Sequence, residues 1–296
     1  MTTPAAGPAS LARRVGADEA FFDYTRFPYE PVCDPAGKWS SSFVLEAALE
    51  TAGAGALRGP LRALGAALGA DATVWGAKHT TDGYAWELYF YDYTRGDSRF
   101  SLDALLETIG PAGAPGAPRP AVASPRRHFM LSVDVSPTSA VGAEAGTAPV
   151  HFYFYDVGDR MTGLSYRFEP TGWVLENHYA FYDPRTEITL LAEKVADSPR
   201  LGSGVAAAQV LIADLVDCTR VCVANKPTCD GVYFSGVRVH QFIRFLEAFG
   251  HAPALVAIIR AHEHALDHML YDVAFDYRTT PTGELEVLKT GFYGTA

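Results

Sequence analysis

Three near-copies of one aromatic run constrain this chain more than any other feature: "ELYFYDY" from Glu87, "HFYFYDV" from His151 and "HYAFYDP" from His178. Side chains on an extended strand alternate between two faces. In the first run Leu88, Phe90 and Asp92 share one face, while Tyr89, Tyr91 and Tyr93 share the other. In the second, Phe152, Phe154 and Asp156 oppose Tyr153 and Tyr155; in the third, Tyr179, Phe181 and Asp183 oppose Ala180 and Tyr182. The expectation is a common register, with an apolar face closing on aspartate and a face of tyrosines. A solvated face would carry Lys, Glu and Thr, so both faces of these strands should be covered. The Phe/Leu face needs a dry partner, whereas the Tyr face needs apolar contact and partners for its hydroxyls.

The runs belong to a longer series. Ten strand-like segments form five consecutive pairs: "ATVWGAKHT" with "AWELYFYDY", "RHFMLSVDVS" with "PVHFYFYDV", "GLSYRFEP" with "WVLENHYAFYDP", "TRVCVANKP" with "GVYFSGV", and "MLYDVAFDYR" with "ELEVLKTGFYG". Short links such as "TTDG", "PTG" and "TPTG" demand antiparallel hairpins, because a parallel crossover needs a dozen residues or more. Helical patterning appears in "SSFVLEAALETA" with a Ser cap, in "ALRGPLRALGAAL", and in the nearly all-apolar "GVAAAQVLIADLVD" from Gly204. It returns in "VHQFIRFLEAFG", closed by Gly250, and in "PALVAIIRAHEHALDH", opened by Pro253. The expected fold is therefore α+β: an antiparallel barrel of about ten strands built from consecutive hairpins, helices outside and phenolic rings inside, since closure removes exposed edges. The alternative is an open sheet with helices on one face and loops over the other. Residues 1–20 read as a flexible leader to a single domain over 21–296, and the Pro/Gly-rich segments from Gly110 and Ser136 read as connectors.

Of 296 residues, 48% are hydrophobic and the net charge is −10, which disfavours nonspecific binding to nucleic acid or an anionic membrane. No run approaches the roughly 20 apolar residues of a membrane helix. The opening has no apolar signal core, so the cytoplasm is expected, and the Ala- and Gly-rich composition points to a bacterial source. Cys33, Cys218, Cys222 and Cys229 lack zinc-site spacing and read as reduced thiols.

On the parity of the third run, Glu176 and His178 share the Tyr182 face, and Lys289 shares a face with Tyr293. A lumen holding Tyr, Lys, Glu and His suits a ligand chamber. Five antiparallel hairpins jacketed by helices resemble the barrel of the soluble aromatic prenyltransferases, the ABBA fold, over the chain from Ala72 onward. One departure is the lack of a helix between "FYFYDV" and "GLSYRF". The resemblance implies small-molecule substrates, an allylic diphosphate and an aromatic acceptor, and no cofactor. Lys78, Lys226 and Lys289, each near a strand end, would then grip the diphosphate. A lysine there is ordinarily a solvated surface residue; inside a barrel it needs anionic company. Tyr89, Tyr91, Tyr153, Tyr155, Tyr182, Tyr233 and Tyr293 would shield the allylic cation, and Glu176 or His178 would take the proton from the arene.

Two other classes compete. A noncatalytic protein could use the same chamber for an apolar ligand or a partner. A small metal-dependent enzyme could use His264 and His268, four apart in "AHEHALDHMLYD", with Asp267 or Asp272. The HExxH pattern fails there, because Leu266 stands where the second histidine belongs. "GSGVAA" from Gly202 matches GxGxxA but lacks a preceding strand, so it reads as a helix start.

Overall fold

A computed structural model gives the fold, described over residues 10–68, 73–91, 129–135, 150–157, 161–169, 172–202 and 204–295. The side chains of residues 67–68, 73, 155–157 and 168–169, and the whole of the two Pro/Gly-rich connectors, lie outside the described residues.

Ten strands follow one another as the hairpin series requires: β1 (Thr73–Thr80), β2 (Gly83–Tyr91), β3 (Met130–Val135), β4 (Val150–Val157), β5 (Met161–Glu169), β6 (Gly172–Tyr182), β7 (Arg220–Asn225), β8 (Asp230–Val237), β9 (Tyr271–Thr279) and β10 (Leu285–Thr295). Each pairs antiparallel with its sequence neighbour, and β1 pairs with β10 from Val74↔Thr295 to His79↔Thr290, so the sheet closes into a barrel. The open-sheet alternative is thereby excluded. Closure leaves every strand with two neighbours, and no edge remains to be protected. The described hairpin turns β1–β2, β7–β8 and β9–β10 fall at one end of the barrel. Gly83 shows the local reason at the first of them: its φ of 108° is a conformation that L side chains rarely adopt.

The helices sit outside. They are α1 (Ser42–Thr51), α2 (Arg58–Leu68), α3 (Ile188–Ala196), α4 (Ala207–Val210), α5 (Ala213–Val216), α6 (Val239–Ala248), α7 (Pro253–Ala261) and α8 (Glu263–Leu266). Trp75, Leu88, Phe90, Phe152, Phe234 and Phe292 point outward into a core completed by helical Leu45, Leu49, Phe242, Phe245 and Ile259. Phe242 stacks on Tyr271 at 4.6 Å and meets Phe292 edge-on at 5.5 Å. The apolar face of the first two aromatic runs is thus the face under the helical jacket. None of the described helices is long and apolar enough to cross a membrane.

Four local expectations change. Ser41 precedes α1 but makes no side-chain cap; its hydroxyl donates to the Thr295 carbonyl and ties α1 to the end of β10. The expected long helix from Gly204 is two single turns, because Leu211 leaves helical geometry at φ −83°, ψ 74°. Val210, Leu211 and Leu215 of this stretch all reach the core. Helix α3 went unpredicted, since Ile188 and Leu190 are exposed and only Leu191 and Val195 are buried, a thin apolar stripe. Residues 10–20 of the expected leader bond to the rest of the fold: Arg14 bridges to Trp39, and Leu11 N–H donates to Glu46.

Candidate functional site

Inside the barrel the side chains sort into layers. Nearest the hairpin turns is an ionic layer. Lys78 of β1 lies 2.5 Å from Glu87 of β2 and 3.0 Å from Asp134 of β3. His151 of β4 lies 2.6 Å from Glu176 of β6 and 3.8 Å from Asp134, and Arg167 of β5 is 3.3 Å from Glu176. Across the lumen Lys226, just past β7, lies 2.7 Å from Asp276 of β9, and Lys289 of β10 lies 3.0 Å from the same carboxylate. Five cationic groups therefore meet four carboxylates. Gly231 makes the close approach possible: a Cβ there would stand 2.7 Å from Asp276 Oδ1.

The charge states follow from burial opposed by partners. Burial works against the Glu87 carboxylate, but Lys78 and His151 hold it below the usual range. Burial likewise disfavours the Asp276 carboxylate, and the two lysines overcome it. Burial would neutralise His151, yet Asp134 and Glu176 push it up to about 9, so it is an imidazolium at neutral pH. Lys226 is raised, its burial outweighed by Asp276. Lys289 goes the other way: burial and the neighbouring Lys226 lower it, with Asp276 only partly compensating. Of the three lysines in the layer it alone is lowered.

Below lies a phenolic layer. Tyr89, Tyr91, Met130, Ala274 and Tyr293 cluster with Tyr153, Tyr233 and Tyr24. Neighbouring rings stand 6.0–6.4 Å apart around the wall, from Tyr89–Tyr293 through Tyr233–Tyr293 to Tyr179–Tyr233 and Tyr153–Tyr179. Glu87 reaches down into this layer and accepts from Tyr89 Oη at 2.6 Å and from Ser132 Oγ. Burial raises the phenols of Tyr89, Tyr153 and Tyr233 well above their ordinary value, with negative or phenolic neighbours adding to the shift, so all three are neutral. A cavity of only about 30 Å³ remains, lined by Tyr24, Tyr89, Met130, Tyr153, Tyr179, Phe181 and Tyr233.

Of the residues expected from sequence, Lys78, Lys226 and Lys289 converge on the ionic layer, and Tyr89, Tyr91, Tyr153, Tyr233 and Tyr293 line the lumen. Glu176 joins the ionic layer. Three placements differ. The third aromatic run has the opposite register: Tyr179 and Phe181 face the lumen, and Tyr182 packs outward among the helices. The cause is a bulge, since Ser165 pairs with Asn177 but Tyr166 pairs with Leu175, leaving Glu176 unpaired and shifting parity by one. His178 consequently lies exposed on the outer wall, in a groove with Phe154, Leu164 and Lys194, away from the chamber. The Tyr155 side chain is outside the described residues.

The metal alternative loses its geometry. Helix α8 ends at Leu266, the His264 side chain is 96% exposed, and His268 is buried against Phe21. Among the described residues no three His, Cys, Asp or Glu groups could hold a metal. Cys33 is exposed, the other three cysteines are buried, and all four are free thiols.

Sequence reading missed Glu87, Asp134, His151, Arg167, Asp276, Tyr179 and Tyr24. Glu87 and His151 stand two residues before Tyr89 and Tyr153, so the alternation that found the tyrosines reaches them as well. Tyr24 had no such signal, because it lies on a segment outside the sheet.

No family model matches the chain, and no curated protein matches it. Among solved structures the chain is similar to AnaPT from Neosartorya fischeri, at 12% identity and a TM-score of 0.43, over 76% of this chain and 78% of that one.

Proposed function

We propose that this protein transfers an isoprenyl group from an allylic diphosphate to an aromatic acceptor inside the barrel. The observation that carries the reading is the layering of the lumen: a lysine-bearing ionic end set directly over a ring of neutral phenols. Lys226 and Lys289 share one carboxylate and repel each other, so an anion placed between them relieves the strain that lowers Lys289. That anion is the diphosphate. Its departure from the allylic carbon leaves a delocalised cation, and the faces of Tyr89, Tyr153, Tyr179, Tyr233 and Tyr293 are attractive to it. Because the raised phenols stay protonated, they shield the cation without trapping it as an ether. The acceptor ring attacks the cation, forming the carbon–carbon bond. The ring then gives up the proton at the substituted carbon, and Glu87 takes it. A carboxylate held below its ordinary range is a weak base, but an arenium proton is acidic enough to go to one.

The nearly balanced charge of the ionic layer favours a second reading, a noncatalytic chamber for an uncharged apolar ligand. One titration separates the two. Calorimetry with dimethylallyl diphosphate should give a binding constant that weakens about tenfold or more in Lys289→Ala, since a charge-assisted contact is lost. The fold should be unchanged, and adding an aromatic acceptor to the wild type should release pyrophosphate. Equal affinity for the diphosphate and its parent alcohol would overturn the transferase reading in favour of the binder.

A further inference from the structure

The bulge between β5 and β6 also shapes the outside of the barrel. It turns Tyr179 and Phe181 into the lumen, so the outer wall of β6 presents His178 and Ala180 where regular pairing would put two aromatic rings. An open cavity of about 330 Å³ lies there, between the wall and α3. Phe154, Leu164 and Ala180 supply its apolar surface. The Phe154 ring is held edge-on by Tyr166 at 5.6 Å and by Trp173 at 6.5 Å, so that surface is fixed in place.

The polar side of the groove is cationic. Lys194 of α3 reaches into it and donates to Asn225 Oδ1, and Asn225 Nδ2 donates to Asp230 Oδ1 at 3.0 Å. The amide positions the ammonium without neutralising it. An ammonium has three N–H groups, and this contact uses one of them. Among the described residues no carboxylate pairs with Lys194, and no Asp or Glu lines the cavity. His178, exposed in the same lining, adds a ring N–H. In the lumen, by contrast, each lysine of the ionic layer has a carboxylate within 3.0 Å. A chain of net charge −10 thus keeps a cation without a counter-charge beside a fixed apolar surface.

We propose that this outer groove is a ligand site separate from the lumen, and that it takes a small organic carboxylate with an apolar body. The carboxylate meets Lys194 and His178, and the body lies over Phe154, Leu164 and Ala180. At about 330 Å³ the groove is at the small end for a ligand cavity, which sets the size at one ring with a short acid arm. Charge sets the class: a neutral molecule of the same shape gains the apolar contact but not the charge-assisted one. The site stands whatever the lumen binds.

Calorimetry on the intact chain with phenylpropionate and with its neutral amide tests the proposal. The acid should bind the wild type about tenfold or more tightly than the amide, because the amide loses the charge-assisted contact. Lys194→Met, which keeps most of the apolar stem, should weaken the acid by about tenfold or more and leave the amide unchanged. Two-dimensional NMR locates the ligand on the wild type with no substitution. The acid should move the backbone N–H signals of Leu164, Ala180 and Lys194 and leave those of Tyr89 and Tyr293 in place. That measurement decides if Lys194→Met loses its cooperative melt. Four results each overturn the proposal: no binding of the acid at millimolar concentration, equal binding of acid and amide, a folded Lys194→Met variant that binds the acid like the wild type, or signal changes confined to the lumen.

Discussion

At the residue scale the chamber depends on how few groups hold each charge. Glu87 is 4% exposed and is satisfied by Lys78, the Tyr89 hydroxyl and the Ser132 hydroxyl. Glu87→Gln keeps the shape but can neither take a proton nor balance Lys78. In single-turnover prenylation with dimethylallyl diphosphate it should reduce the chemical step by about 10²–10⁴-fold while diphosphate affinity changes far less. A variant as fast as the wild type would remove Glu87 from the chemistry. Parity in the sequence already placed Tyr89 and Tyr153 inward, and Glu87 and His151 were legible by the same rule. The rule reports the face a residue takes, however, not what waits across the lumen. That Lys226 and Lys289 would share Asp276, or that Lys78 would bridge Glu87 and Asp134, depends on which strands lie opposite.

At the element scale the irregularities decide more than the regular strands do. The β5–β6 bulge turns the third aromatic run inside out, and it left no mark in a composition of Leu, Glu and Asn that reads as ordinary strand. A second bulge, in β8 between Ser235 and Val237, places Gly236 at φ 82° with its N–H on Asp272. A Cβ at Gly236 would stand 2.3 Å from Thr219 Oγ1. Gly236→Ala should therefore destabilise the fold by about 2–3 kcal/mol in urea titration, from clash and backbone strain together. Adding Thr219→Ala should recover only part of the loss, because it removes the clash and not the strain; full recovery would show that φ is of no consequence here. Helix α3 and the broken pair α4–α5 make the same point from the helical side. Their buried stripes are too short for periodicity to find, and contact with the barrel wall fixes them.

At the scale of the whole molecule, closure sets the protonation balance. His251 is enclosed between α6 and α7, bonded to Tyr84 Oη at 2.9 Å and Thr290 Oγ1 at 3.0 Å, and burial lowers it to about 3. His268 is fully buried with neither ring nitrogen partnered, and burial lowers it to about 4. Both are neutral in the fold, while the unfolded chain takes up protons below about pH 6.5. Stability is therefore lost as pH falls from about 6.5 toward 4, by up to about 1.4 kcal/mol per pH unit for each histidine. His151 acts in the opposite direction. Raised to about 9, it contributes stability below about pH 6.5 that is lost as pH rises through 9. Urea titrations at pH 5, 6.5 and 9 should give the greatest stability at the middle value, and a flat profile would show that these imidazoles do not titrate differently on folding. The sequence by itself determined the hairpin order, the covering of both strand faces and the inward turn of most tyrosines, because alternation and short links are local properties of the chain. Tertiary structure alone decided the closing of β1 on β10, the inversion of the third run and the arrival of Tyr24 from outside the sheet, because each depends on contacts between residues far apart in sequence, which no local pattern encodes.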